Sequence, residues 1–108
     1  TKFKKDNKEK YYLLKVYKKN TKYLLVKNKN FNFLKNLDIF PMQEIIKPKN
    51  FNHNLNFKMS NMNMNIKIQT NKVNKPMPFS YWIDPKKLKK YTLPTFTKKI
   101  VSYLENHS

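Results

Sequence analysis

The sequence predicts an α+β domain: a mixed or mostly antiparallel sheet closed by a C-terminal helix. Three observations carry this. Two aromatic and aliphatic runs, Tyr11-Tyr12-Leu13-Leu14-Lys15-Val16-Tyr17 and Lys22-Tyr23-Leu24-Leu25-Val26-Lys27, flank a short polar link. A later run alternates apolar and polar residues, with Met62, Met64, Ile66 and Ile68 on one face. The tail carries Phe96, Ile100, Val101 and Leu104 at helical spacing.

Taken in order, residues 1–10 are nearly all polar and read as a charged arm or linker. Residues 11–108 then read as a single domain, a size that buries a modest core. The first two runs are strand-forming, and Lys18-Lys19-Asn20-Thr21 turns between them to make a β-hairpin. Residues 28–37 form a loop holding Asn28, Asn30, Asn32 and Asn36. The chain contains no glycine. Asparagine is the next residue able to enter the left-handed region, so some of these asparagines stand in for glycine. Ile39-Phe40-Pro41 closes an apolar segment, and Ile45 with Ile46 starts a further short strand.

Residues 47–56 are polar and read as a loop. After the alternating strand, with Asn63, Asn65, Lys67 and Gln69 on its second face, Pro76 and Pro78 mark a break. Phe79-Ser80-Tyr81-Trp82-Ile83 is another strand, with Trp82 directed to the core. Asp84 caps a helix start with Pro85 at its first position. Pro94 or Thr95 opens the terminal helix, whose other face carries Lys98 and Lys99.

Charge narrows the partners. The formal net charge is +18, from 24 basic and six acidic residues, and every basic residue is Lys. Such a field attracts polyanions, nucleic acid first among them. Lys, Asn, Ile, Phe and Tyr also have A- and T-rich codons, so the base composition of the gene is a second source of the lysine. With 15% aromatic residues the chain is no disordered basic tail. Absence of cysteine excludes disulfides and thiolate metal sites in this segment. His53 and His107 stand alone, without partners at ligand spacing, and no metal or catalytic site is expected. No run is long enough for a membrane helix, and the N-terminus shows no export signal, which points to a cytoplasmic location. A monomer with no membrane partner is expected. The chain starts at Thr1 and reads as a fragment of a longer protein.

Three segments carry a resemblance. The first is Asn36-Leu37-Asp38-Ile39-Phe40-Pro41 behind the hairpin. The second is Lys58-Met59-Ser60-Asn61-Met62-Asn63-Met64-Asn65-Ile66. The third runs from Trp82 through Leu88 and Tyr91-Thr92-Leu93-Pro94 to the helix Lys99-Ile100-Val101-Ser102-Tyr103-Leu104. In this order they resemble the C-terminal domain of MutY-type A/G-specific adenine DNA glycosylases, over residues 11–104. That domain has a Nudix-like, MutT-like fold. Its first motif has the form Gly-Leu-Trp-Glu-Phe-Pro, so Asn36 stands at the glycine and Asp38 replaces the tryptophan. Its loop reads Phe-Ser-His, so Met59 and Asn61 are departures and Ser60 is kept. The usual Nudix helix is expected to be lost, or shortened to one turn within residues 42–46.

The resemblance implies a DNA-binding domain that recognises 8-oxoguanine in a mispair with adenine, for base excision repair in double-stranded DNA. It assigns lesion contact to Ser60, then Asn61, with Met59 beside them. Lys58, Lys86 and Lys87 are candidates for phosphate contact. Asn61 can donate and accept through its amide but cannot become cationic. The hydrolase chemistry of the parent, adenine excision, belongs to a separate N-terminal domain with an iron–sulfur cluster, so no cofactor is expected here. A Nudix hydrolase needs clustered Glu for metal. Glu44 is the sole acid between Pro41 and the second motif, so pyrophosphate hydrolysis is not expected. The alternative is a free-standing basic nucleic-acid-binding module without catalysis.

Overall fold

The computed structural model describes residues 8–46, 49–59, 62–71 and 79–107. Among the described residues, seven strands and a C-terminal helix make the α+β fold that the sequence predicts. They are β1 (Lys8–Lys19), β2 (Lys22–Lys27), β3 (Asp38–Ile39), β4 (Met42–Ile45), β5 (Leu55–Met59), β6 (Met62–Asn71) and β7 (Ser80–Ile83). A 3₁₀ segment (Pro85–Lys90) precedes α1 (Thr95–Asn106). Every pairing with a described register is antiparallel.

The chain forms two compact units, Thr1–Lys15 with Met42–Gln69, and Val16–Pro41 with Thr70–Ser108. β1 supplies residues 8–15 to the first and 16–19 to the second.

In the first unit the order is β5-β6-β1, and β4 also pairs with β1. Tyr11 to Leu14 lie opposite Ile45 to Met42. β1 begins at Lys8, so Lys8, Glu9 and Lys10 are strand residues rather than linker. The side chains of Glu9 and Lys10 find partners. Glu9 accepts from the Nδ2 of Asn63 at 2.9 and 3.0 Å and from the Nδ2 of Asn65 at 3.0 Å. Lys10 reaches Glu44 at 3.1 Å. The alternating face of β6 is as expected, with Met64 and Ile66 fully buried. Its polar face differs: Asn65 is buried too, because Asn56 and Glu9 bond to it from both sides. Residues 42–46 keep no helical turn. Residues 42–45 are β4, since Met42 and Ile45 alternate with Gln43 and Glu44 and pair with β1. The polar loop expected over residues 47–56 ends early, at Asn54. Leu55, Phe57 and Met59 alternate with Asn56 and Lys58, a period-two signal that makes β5.

In the second unit β2 lies at the centre. It pairs with the end of β1, with β3 and with β7. The hairpin turn tightens to Asn20 and Thr21, because Lys18 and Lys19 pair with Tyr23 and Lys22. Asn20 has φ 58°, the left-handed backbone that glycine would otherwise supply. Asn36, at φ 65°, and Asn50, at φ 56°, do the same. Asn28 has another role. It is buried, its Nδ2 donates to the carbonyls of Phe33 and Leu34, and its Oδ1 accepts from Phe31 N–H at 3.0 Å. One amide therefore closes the loop that leads to β3.

The core of this unit is Val16, Tyr23, Leu24, Leu25, Ile39, Phe40, Ile83, Leu93, Phe96, Ile100 and Val101. α1 buries Phe96, Ile100 and Val101 as its spacing requires, while Leu104 is half-buried. It also buries Thr97, whose hydroxyl donates to the Asp38 carbonyl at 2.6 Å. Trp82 is half-buried and lies opposite Leu24, so its core assignment holds in part. Asp84 caps as expected, accepting from Lys86 N–H at 3.0 Å. The segment it opens is 3₁₀, with Lys87 outside helical geometry at φ −119°. Pro76 and Pro78 lie outside the described residues.

Candidate nucleic-acid interface

The segment expected to contact the lesion, residues 58–61, falls between β5 and β6 in the chain. The strand register pairs Met59 with Met62 and Lys58 with Asn63. Ser60 and Asn61 lie outside the described residues. Met59 is half-buried, and Lys58 is exposed. Beneath them Tyr12 is buried, and its hydroxyl donates to Met62 Sδ at 3.8 Å. Burial first, and the Glu44 charge second, push the Tyr12 hydroxyl up to about 12. The polar ladder of Asn56, Asn65, Glu9 and Asn63 crosses three strands next to this segment. Asn63 Oδ1 is buried and meets no hydrogen-bond donor among the described residues.

Lys86 and Lys87 belong to the second unit and project from the 3₁₀ segment, where Lys89 and Lys90 are exposed as well. Lys98 and Lys99 are exposed on α1. These ammonium groups are free to meet phosphate through simple Coulomb attraction. His53 is exposed, and His107 stacks on Tyr103 with ring centres 4.1 Å apart. Among the described residues no three His, Cys, Asp or Glu side chains group as metal ligands. Among the described residues no helix is long and apolar enough to cross a membrane.

A second cluster in the same unit was not legible in the sequence. Lys27, Asp38, Phe79, Tyr81, Lys90, Tyr91 and Thr92 line an open recess of about 480 Å³. Phe79 is 71% exposed, an unusual state for so large an apolar ring. Its backbone is left-handed, at φ 58°, a conformation that costs a bulky residue of order 1–3 kcal/mol. A hydrogen bond from Lys27 N–H to the Phe79 carbonyl, 3.0 Å long, holds it there. Tyr81 and Tyr91 stand with ring centres 6.4 Å apart, tilted by 32°. Burial, and then a hydrogen bond to Asp38, hold the Tyr81 hydroxyl well above its ordinary range. The run Phe79 to Ile83 signals a strand, but nothing in it reveals that Phe79 faces solvent. No protein-family model and no curated protein sequence matches the chain.

Proposed function

We propose that this chain is the DNA-binding and 8-oxoguanine-recognition domain of an adenine DNA glycosylase, acting in base excision repair. The observation that carries the reading is Asn36, with φ 65°, at the place where the resembling family has glycine. A position with left-handed backbone favours Gly, and Asn next after it. The order of elements supports it further: hairpin, Asn36 to Pro41, the β5–β6 pair, the Trp82 strand, then the closing helix. The +18 charge supplies the attraction to duplex DNA.

In this reading the work divides by chemistry. Lys58, Lys86 and Lys87 contact phosphates and supply affinity without sequence preference. Ser60 and Asn61 offer a hydroxyl and an amide to the edge of the oxidised base, where donors and acceptors discriminate. Met59 packs beside them. Adenine excision, with its iron–sulfur cluster, belongs to another domain of the parent. The test is fluorescence anisotropy with two duplexes, one holding an 8-oxoguanine:adenine pair and one undamaged. The lesion duplex is expected to bind more tightly, with affinity falling steeply as salt rises. Ser60→Ala combined with Asn61→Ala is expected to abolish the preference and leave the salt dependence intact. Equal binding of both duplexes by the unaltered chain would overturn the lesion reading. It would leave a basic nucleic-acid-binding module, which the exposed lysines of the 3₁₀ segment favour on their own.

A further inference from the structure

We infer that the recess lined by Phe79, Tyr81, Tyr91, Lys27 and Lys90 receives an unpaired nucleobase of a bound DNA strand, stacked on Phe79, with its phosphate held by the two lysines. The inference rests on the reading that the chain binds nucleic acid. It adds a site distinct from the Ser60–Asn61 segment.

The geometry points to a flat occupant. Phe79 offers a free ring face to solvent, 71% exposed, with its backbone tied to β2. Tyr81 and Tyr91 are 6.4 Å apart at their centres, too close to admit a base between them with two stacking layers. They serve instead as a wall, and the base lies against Phe79. Both walls are set before any ligand arrives. Tyr81 lies in β7 opposite Leu25, and Tyr91 N–H bonds to the Leu88 carbonyl at 3.1 Å. Such preorganisation lowers the entropy cost of binding.

Charge selects the class of ligand. Lys27 and Lys90 are both exposed on the lining and bring two ammonium groups to it. The lining carries one carboxylate, Asp38, whose Oδ1 is buried and meets no hydrogen-bond donor among the described residues, against two lysines. The site thus wants an aromatic face joined to an anion. A nucleotide in a strand has both, whereas an acidic peptide has the anion without the flat ring. Aromatic platforms flanked by lysine are the common means of holding single strands, and they tolerate any base because each has a π face. A base still paired in a duplex cannot present its face, so the occupant is unpaired.

The test uses the full chain and a short single-stranded oligodeoxynucleotide containing 2-aminopurine, whose fluorescence is quenched by stacking. Phe79→Ala is expected to weaken single-strand binding about tenfold, the scale of one lost stacking contact, and to remove the quenching. Duplex affinity should stay within about twofold of the unaltered chain, because backbone charge dominates it. Lys90→Glu is expected to weaken single-strand binding and flatten its salt dependence while some quenching persists. Phe79 is exposed, so the fold should survive its truncation, and a thermal melt checks this. If Phe79→Ala binds and quenches as the unaltered chain does, the recess assignment is wrong and the nucleic-acid reading stands. If the unaltered chain binds neither duplex nor single strand, the nucleic-acid reading falls and takes the recess with it.

Discussion

In the first unit a row of polar side chains crosses the sheet, from Asn56 to Asn65 to Glu9 and on to Asn63. Its buried apolar residues, among those described, are Tyr12, Leu14, Met64 and Ile66. The second unit instead packs aliphatic and aromatic residues of β2, β3 and β7 with one face of α1. The same amino-acid supply, rich in Asn and Lys and free of Gly and Ala, thus builds two kinds of interior. Apolar burial is cooperative and non-directional, and it contributes roughly 1.5–3 kcal/mol per large side chain. A polar ladder contributes about 1 kcal/mol per bond, and each bond holds only while both partners are aligned. The first unit should therefore open more easily, and the Ser60–Asn61 segment belongs to it.

The contrast can be broken most strongly in the helix. Ile100 is fully buried on α1. Ile100→Ala should cost about 2–5 kcal/mol in a urea titration, through lost transfer energy and the cavity left behind. A cost below 1 kcal/mol would mean that α1 is not the anchor of its unit.

Glu9→Ala should cost less, about 1–2 kcal/mol. It removes acceptors for Asn63 and Asn65 and leaves the buried Asn65 amide short of a partner. Its signature should be local. Hydrogen exchange should quicken in β6 while the amides of β2 keep their protection. Equal loss of protection in β2 would show that the two units open as one.

The smallest effect is a pH dependence. The Tyr12 hydroxyl is pushed up to about 12, by burial first and Glu44 second, from an ordinary 10.0. Tyr23 moves the same way, by burial and then by its hydrogen bond to the Glu105 carboxylate. A raised folded value means that the folded chain keeps protons which the unfolded chain gives up. The stabilisation is therefore complete below the ordinary value and is lost as pH climbs through the folded one. Tyrosinate absorbance from Tyr12 and Tyr23 should rise together with alkaline unfolding. Tyr23→Phe should lose about 1 kcal/mol or less near neutral pH and shed part of that alkaline dependence. An unaltered alkaline profile would remove Tyr23 as its source.

Much of this architecture is legible residue by residue. The hairpin, the alternation of β6 and the helical stripe of α1 follow from local periodicity, which survives any tertiary context. Asn36 and Asn20 are readable as glycine substitutes because the steric map of the backbone is local too. β5 was legible in principle, since Leu55, Phe57 and Met59 alternate, but the surrounding asparagines mask the pattern. The burial of Asn65 and Thr97 was not legible. Their partners, Glu9 and the Asp38 carbonyl, lie far away in sequence.

Residue order and composition were enough to settle a basic α+β chain, the period of its strands and helix, and asparagine as a source of glycine-like backbone, as at Asn36. Each of these follows from forces that act within a few residues or from total charge. Tertiary structure alone decided which polar groups are buried and which aromatic is left in water. It placed Phe79 in solvent by bonding its carbonyl to Lys27, and gathered Tyr81, Tyr91 and Lys90 around it. Exposure is a property of what covers a side chain, and here the cover comes from segments distant in sequence.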